Sequence, residues 1–396
     1  MQATHQTTEP RRPSAVAPPL HAVPGAGAPP PRGRIAALDA ARALGVLAMV
    51  FGHTLDALLA TAVRATPGVE LYWKARGFTA PLFLMVSGWA VTVAISRGRA
   101  RGLAIPRGRI GRVLLLLGIG YALRWPGWGV ERLAAGDVEV WAHFLSFDAL
   151  HTIAVALLAA SLVLALPWSR REHTWAIGAL ALLCVALGML APAPIVPGIP
   201  QLSRSIAALV VEQATGGTSP FPLFPWAAYF FVGALVGLLA GTGGGRSAAG
   251  MALVGAVLVA GTIGTGVGEM PMGHPLLFTF RCGAVLLVLA ALSTVPAAWA
   301  ARVAPIGRAS LGVYAIHVPV VYGWSTFTGL TGRIGPHLGL GHALLVATAV
   351  LLGSFAVHLA FQRVRSGLGA AAGAVWERVG LRLEGGGRGG TETEGE

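Results

Sequence analysis

The chain has 396 residues, of which 55% are hydrophobic and only 11% charged, with a mean hydropathy of +0.68. A soluble domain carries about 25% charged residues, so the composition excludes an ordinary water-soluble globule and indicates a polytopic membrane protein. The net charge of +13 reflects the positive-inside bias of membrane proteins rather than a nucleic-acid partner, and Cys184 and Cys282 offer neither a disulfide framework nor metal-ligand spacing.

Residues 1–33 are rich in Pro, Ala, Thr and Gly without an apolar h-region, which predicts a disordered tail and not a signal peptide. A transmembrane domain is expected over 34–365, followed by a cytoplasmic tail over 366–396 that is disordered from about 385. Between the tails lie ten apolar runs of helical length. They cover about 35–60, 78–96, 109–124, 147–167, 173–191, 223–241, 247–267, 275–295, 306–326 and 339–361. The expected fold is all-α, with about ten transmembrane helices. With the N-terminus inside, the inner segments hold roughly 20 of the 29 basic residues and the outer loops about 7, which supports an N-in, C-in arrangement.

The first run carries Asp39, Arg42, His53 and Asp56, which share one helical stripe with Val46 and Met49. Arg42 and His53 are eleven residues apart, so they lie on one face roughly 16 Å apart along the axis. Ionisable groups inside a membrane cost at least about 2.5–3.5 kcal/mol each and normally face a bundle interior or a wet cavity. Read for chemistry, Arg42 steadies a polarised group, Asp56 assists, and His53 takes or gives a proton. Read structurally, Asp39 and Arg42 form an i,i+3 ion pair and His53 is a satisfied interior histidine.

Between runs two and three lies the densest basic cluster: Arg97, Arg99, Arg101, Arg107, Arg109 and Arg112. Arg107 and Arg109 are candidates to grip the phosphates of a nucleotide-like cofactor, although the positive-inside rule also explains the cluster. In run four, Asp148 and His151 stand at i,i+3, either as a second acid/base pair or as the start of a helix. Run six opens with prolines and aromatics, where Trp226 and Tyr229 suit an interfacial belt or a cavity rim. Arg281 in run eight needs an acidic partner, for which Asp56 and Asp148 are candidates, and serves either charge balance or substrate contact. Tyr314 and His317 in run nine stand at i,i+3 on one face. There is no Walker motif, no G-x-G-x-x-G on a strand–helix unit, no H-E-x-x-H and no G-x-S-x-G. No metal site is expected.

These residues carry a resemblance. RIAALDAARALGVLAMVFGH, with Arg42 and His53 at R-x₁₀-H spacing, resembles the opening helix of the acyltransferase-3 group of membrane acyltransferases. FTAPLFLMVSGWAV, FDALHTIAVALL, FPLFPWAAYFFVGALVG and ASLGVYAIHVPVVY are similar to pieces of the bacterial relatives of heparan-α-glucosaminide N-acetyltransferase. The resemblance implies an enzyme of the bacterial inner membrane that takes an acyl group, typically acetyl, from cytosolic acyl-CoA. It passes the group to an amine or hydroxyl of a sugar or glycan acceptor at the far face. Arg42 and His53 are the positions that carry over. The animal members have Asn at the position matching His53 and a His in the loop that follows; here residues 61–77 contain no His. The rivals are a proton-coupled transporter or flippase, in which the same groups form a proton or substrate path, and a non-catalytic membrane partner. Membrane lipid is an obligate neighbour, and an oligomer is compatible with the sequence.

Overall fold

The computed structural model describes residues 35–99, 107–189, 219–241, 245–271 and 273–385. The expected N-terminal tail and the last residues of the C-terminal tail lie outside them. The described residues form helices α1 (Ala36–Leu58), α2 (Thr61–Arg64), α3 (Pro67–Arg76), α4 (Thr79–Arg99), α5 (Arg107–Leu123), α6 (Val130–Ala134), α7 (Val138–Leu145), α8 (Ala149–Ala165) and α9 (Arg170–Gly188). After these come α10 (Leu223–Ala240), α11 (Gly245–Ala260), α12 (Pro275–Ser293), α13 (Ala297–Arg308), α14 (Ser310–Tyr322), α15 (Leu330–Arg333) and α16 (Leu340–Gly385). No strand occurs among the described residues.

Each of the ten apolar runs holds a helix. Among the described residues five helices are long and apolar enough to cross a membrane, and six are if the bent pair α7–α8 counts as one span. The bend is 53°. It falls where Asp148 adopts an extended backbone and caps α8, accepting from the N–H groups of Leu150 and His151. An Asp at this position satisfies amides that the first turn leaves without partners, which starts a new helix instead of continuing the old one.

Outward faces are apolar. Leu114, Trp175, Leu182, Leu253, Leu345 and Leu352 are all about half exposed or more. Such a surface is at home in lipid and costly in water. The chain is therefore an all-helical integral membrane protein. In α1 the pattern is inverted relative to a soluble helix: Leu44 and Leu47 face outward, while Asp39, Arg42, His53 and Asp56 are half-buried on the opposite side.

The largest core cluster joins α4, α8, α9, α10 and α12 around Trp89, Phe230, Leu289 and Ile177, all fully buried. Small residues bring α4 and α10 into close contact. A Cβ on Gly88 would fall on the Phe230 carbonyl, and one on Gly233 would fall on the Met85 carbonyl. Close backbone approach through such residues is how apolar helices gain packing energy when lipid is as apolar as they are. Trp226 and Tyr229 are buried at 6% and 2% exposure, so they belong to this core and not to an interfacial belt. Helix α1 packs against α4, α12, α13, α14 and α16, so its polar stripe is walled by other helices.

The segment 61–77, which reads as a loop in the sequence, is mostly helical as α2 and α3. Glu70 and Lys74 support α3 as an i,i+4 pair at 3.3 Å.

Candidate functional site

A cavity of about 1330 Å³ runs along the polar stripe of α1. Arg42 lies on its wall with Arg109 and Arg112 at one end, and His53 and Asp56 line the other with Arg64, Arg76 and Arg281. Between them the wall is apolar, with Met49, Phe83, Leu116 and Leu157 among the lining side chains. Both charged groups of residues therefore open onto one space, with roughly 16 Å of helix between Arg42 and His53.

The His53 end is organised by a pair of imidazoles. His53 Nδ1 lies 2.9 Å from His317 Nε2, and His317 Nδ1 lies 2.8 Å from the Val313 carbonyl oxygen. The ring centroids are 5.2 Å apart and the planes differ by 15°. A short N···N contact with such widely separated centroids means the rings meet edge to edge in nearly one plane, as an N–H···N bond requires, and do not stack face to face. The tautomers follow. A carbonyl only accepts, so His317 Nδ1 carries a hydrogen. Neutral His317 then accepts at Nε2, so His53 donates from Nδ1. Neutral His53 is left with its lone pair on Nε2, on the side of the ring open to the cavity. His317 is completely buried and His53 only half so. The Tyr322 hydroxyl donates to the His53 carbonyl at 3.4 Å, and its ring meets the His53 imidazole edge-on at 5.6 Å.

Asp56 does not touch His53. Its carboxylate accepts from Arg64 at 3.3 Å and from Arg76 at 3.2 Å. The sequence reading had Asp56 assist His53; in the structure the group hydrogen-bonded to the His53 ring is His317. Arg64 also donates to the backbone carbonyls of Leu59 and Asp56, so it caps the C-terminus of α1. Arg64 and Arg76 both lie over the Trp73 ring, at 5.6 and 5.2 Å. Arg281 is 7% exposed and reaches the α3–α4 junction, where its guanidinium lies 3.1 Å from the position a Cβ on Gly77 would take.

At the Arg42 end, Arg42 and Asp39 are 3.9 Å apart, the ion pair that their i,i+3 spacing suggests. Arg109 lines the cavity, and Arg112 joins it one turn on. Arg107 is the first residue of α5, and its side chain lies outside the described residues.

Asp148 and His151 form a second cluster behind the wall. His151 Nδ1 is 2.9 Å from Asp148 Oδ1, Tyr314 donates to Asp148 Oδ2 at 3.5 Å, and Arg124 Nε is 4.0 Å away. Asp148 thus starts α8 as its cap and is also the contact of the His151 imidazole. Neither Asp148 nor His151 lines the cavity, whereas Tyr314 does. Tyr314 also meets His317 edge-on at 5.8 Å, so α14 touches both clusters. The sequence reading missed Arg64, Trp73, Arg76 and Arg124. The available signal was the presence of cations beside a Trp on a short segment between two spans, where the charge bias disfavours them.

A neutral imidazole held in one tautomer, with its bare nitrogen on a cavity wall, can take a proton from a hydroxyl or ammonium-derived nucleophile. Arginines at the opposite end can hold a phosphate-bearing group. Among the described residues no cluster of three His, Cys, Asp or Glu side chains has the geometry of a metal site. The model of one protein family, Acyl_transf_3, described as an acyltransferase domain, matches residues 35–360. No curated protein matches the chain.

Proposed function

Since the chain belongs to the acyltransferase-3 family, we propose that it is a membrane acetyltransferase that moves the acyl group of cytosolic acyl-CoA to a sugar or glycan acceptor at the outer face. The observation that carries this reading is the single cavity with Arg42, Arg109 and Arg112 at one end and the tautomer-locked His53 at the other. The arginines suit the phosphates of CoA. The apolar stretch between the ends suits the pantetheine arm, which is long enough to bring a thioester to His53.

In the proposed reaction, His53 Nε2 removes the proton from an acceptor O–H or N–H as the oxygen or nitrogen attacks the thioester carbonyl. The C–S bond then breaks. The proton on His53 passes to the departing thiolate, giving CoA thiol and acylated acceptor and returning His53 to its starting tautomer. His317 holds the imidazole in register and spreads the transient positive charge. A covalent acyl-His53 intermediate is the variant mechanism, with the same net balance. We place the N- and C-termini in the cytoplasm, read all ten apolar runs as crossing or entering the bilayer, and assign the protein to a bacterial inner membrane near the relatives of heparan-α-glucosaminide N-acetyltransferase.

The test uses purified protein in nanodiscs with radiolabelled acetyl-CoA and a panel of amino sugars and glycans, following CoA release and labelled product. Acceptor-dependent release that His53→Ala abolishes supports the reading. Transmembrane accumulation of an unmodified solute without any acylated product would replace it with the transporter.

A further inference from the structure

The geometry points to an acceptor that carries an oxyanion, a carboxylate or a phosphate, held by Arg76 beside His53. This deepens the proposed acyl transfer and rests on it for the word acceptor, but the site itself is argued from the cavity alone.

The Arg42 end of the cavity has a ready explanation for its charge in the donor's phosphates. The His53 end does not. There Arg64, Arg76, Arg281 and Lys74 line the wall with Asp56 and Glu70 among the described residues. Lys74 and Glu70 pair with each other at the rim, and both are more than half exposed. Arg64 is consumed by the fold, because it spends its N–H groups on the Asp56 side chain and two carbonyls at the end of α1. Arg76 is different. It gives one N–H to Asp56 Oδ2 and its side chain also lines the cavity, so this hydrogen bond accounts for one of its five donors. Asp56 holds it at one edge and Trp73 supports its face at 5.2 Å. A guanidinium fixed on two sides is ready for a bidentate oxyanion with little ordering left to do.

Position ties this fork to the reaction. Arg76 lies along Gly52, the residue before His53, with Nε 3.1 Å from where a Cβ would stand, so any larger residue at 52 would displace it. An oxyanion on Arg76 therefore sits next to the α1 turn that carries His53, in the same cavity that His53 lines. Arg281, beside Gly77 at the start of α4, adds a second cation to the same end. Trp73 also lines the cavity here.

The test measures equilibrium binding to the full chain in nanodiscs of three probes that share a ring and differ in charge: p-nitrophenyl β-D-glucuronide, glucose 1-phosphate and neutral p-nitrophenyl β-D-glucoside. The expected result is that at least one anionic probe binds about tenfold or more tighter than the neutral one. Arg76→Gln should remove that preference and leave acetyl-CoA affinity intact. Arg76→Lys, which keeps the charge but loses the fork, should restore part of it and guards against a variant that merely misfolds. The carboxylate and phosphate arms show which oxyanion fits. Equal binding of charged and neutral probes, or a preference that survives Arg76→Gln, overturns the inference. Turnover is scored separately: acyl transfer without charge preference defeats the anion site alone, and charge-selective binding without acyl transfer from any donor defeats the enzymatic reading alone.

Discussion

At the scale of single residues, the site depends on one hydrogen-bonded line, Val313 carbonyl to His317 to His53. Removing His53 takes away the proposed base, so His53→Ala should lower kcat by about 10²–10⁴-fold with an unchanged unfolding midpoint, read from acetyl-CoA turnover and thermal denaturation in detergent. His317→Ala makes a sharper test, because His317 is sealed from the cavity and touches no substrate. With it gone, His53 is free to rotate and to put its hydrogen on either nitrogen. The expected result is a fall in kcat of roughly 10²-fold with the KM for donor nearly unchanged; an equal rise in KM would show that His317 supports the binding site instead. Arg42 and His53 were legible as a pair because both sit on one helix at a spacing that a single pattern exposes. The partnership of His53 with His317 was not, since 264 residues separate them. The sequence showed Tyr314 and His317 on one face of their own helix but nothing about which helix that face meets. For the same reason Asp56 read as the companion of His53, when the nearer cations of α2 and α3 take its carboxylate.

At the scale of elements, α8 starts where Asp148 says it should. Asp148→Asn keeps a side-chain acceptor for the cap and loses the charge, whereas Asp148→Ala loses both. The Ala variant should cost about 0.5–2 kcal/mol from the cap alone, and more if the buried Arg124 is left without its carboxylate. Comparing the unfolding of the two variants separates capping from charge pairing. The α4–α10 contact gives a second test. Gly88→Leu would push a side chain into the Phe230 carbonyl, so it should destabilise the bundle by at least about 1–3 kcal/mol and lower the midpoint, while the same change at Gly98, where a Cβ meets nothing within 4 Å, should be tolerated. The helices of the ten apolar runs were readable, because runs of apolar residues long enough to cross a bilayer leave few alternatives. What escaped were α6, α7 and most of α13, which lie outside those runs, and the helical character of 61–77, a short polar stretch whose structure comes from packing on α1 and from one ion pair rather than from periodicity.

At the scale of the whole molecule, composition alone identified a helical membrane protein, and it did so because lipid leaves no other use for so apolar a chain. Orientation is the part that charge counting proposes and that labelling can decide. Cys184 and Cys282 are both buried, so they give little background. A cysteine placed at the exposed Arg132 should react with a membrane-impermeant maleimide in intact cells, and one at the exposed Arg171 only after permeabilisation; the reverse pattern would invert the topology. Raising ionic strength should weaken donor binding at the Arg42 end, since phosphate contacts with partly exposed arginines are screened by salt.

The line from His53 has one further consequence. It ends at the Val313 carbonyl, which accepts a hydrogen bond but passes no proton onward. The line is a cul-de-sac and not a wire. A proton taken at His53 Nε2 cannot leave along it; returned to the reacting groups as proposed, that proton completes a cycle that, on the proposed topology, sends an acyl cation equivalent outward and brings one proton inward to the thiol. The two charges cancel. The enzyme then runs across an energised membrane without drawing on its voltage, and a cell whose protonmotive force has collapsed should acylate as fast as one whose force is intact.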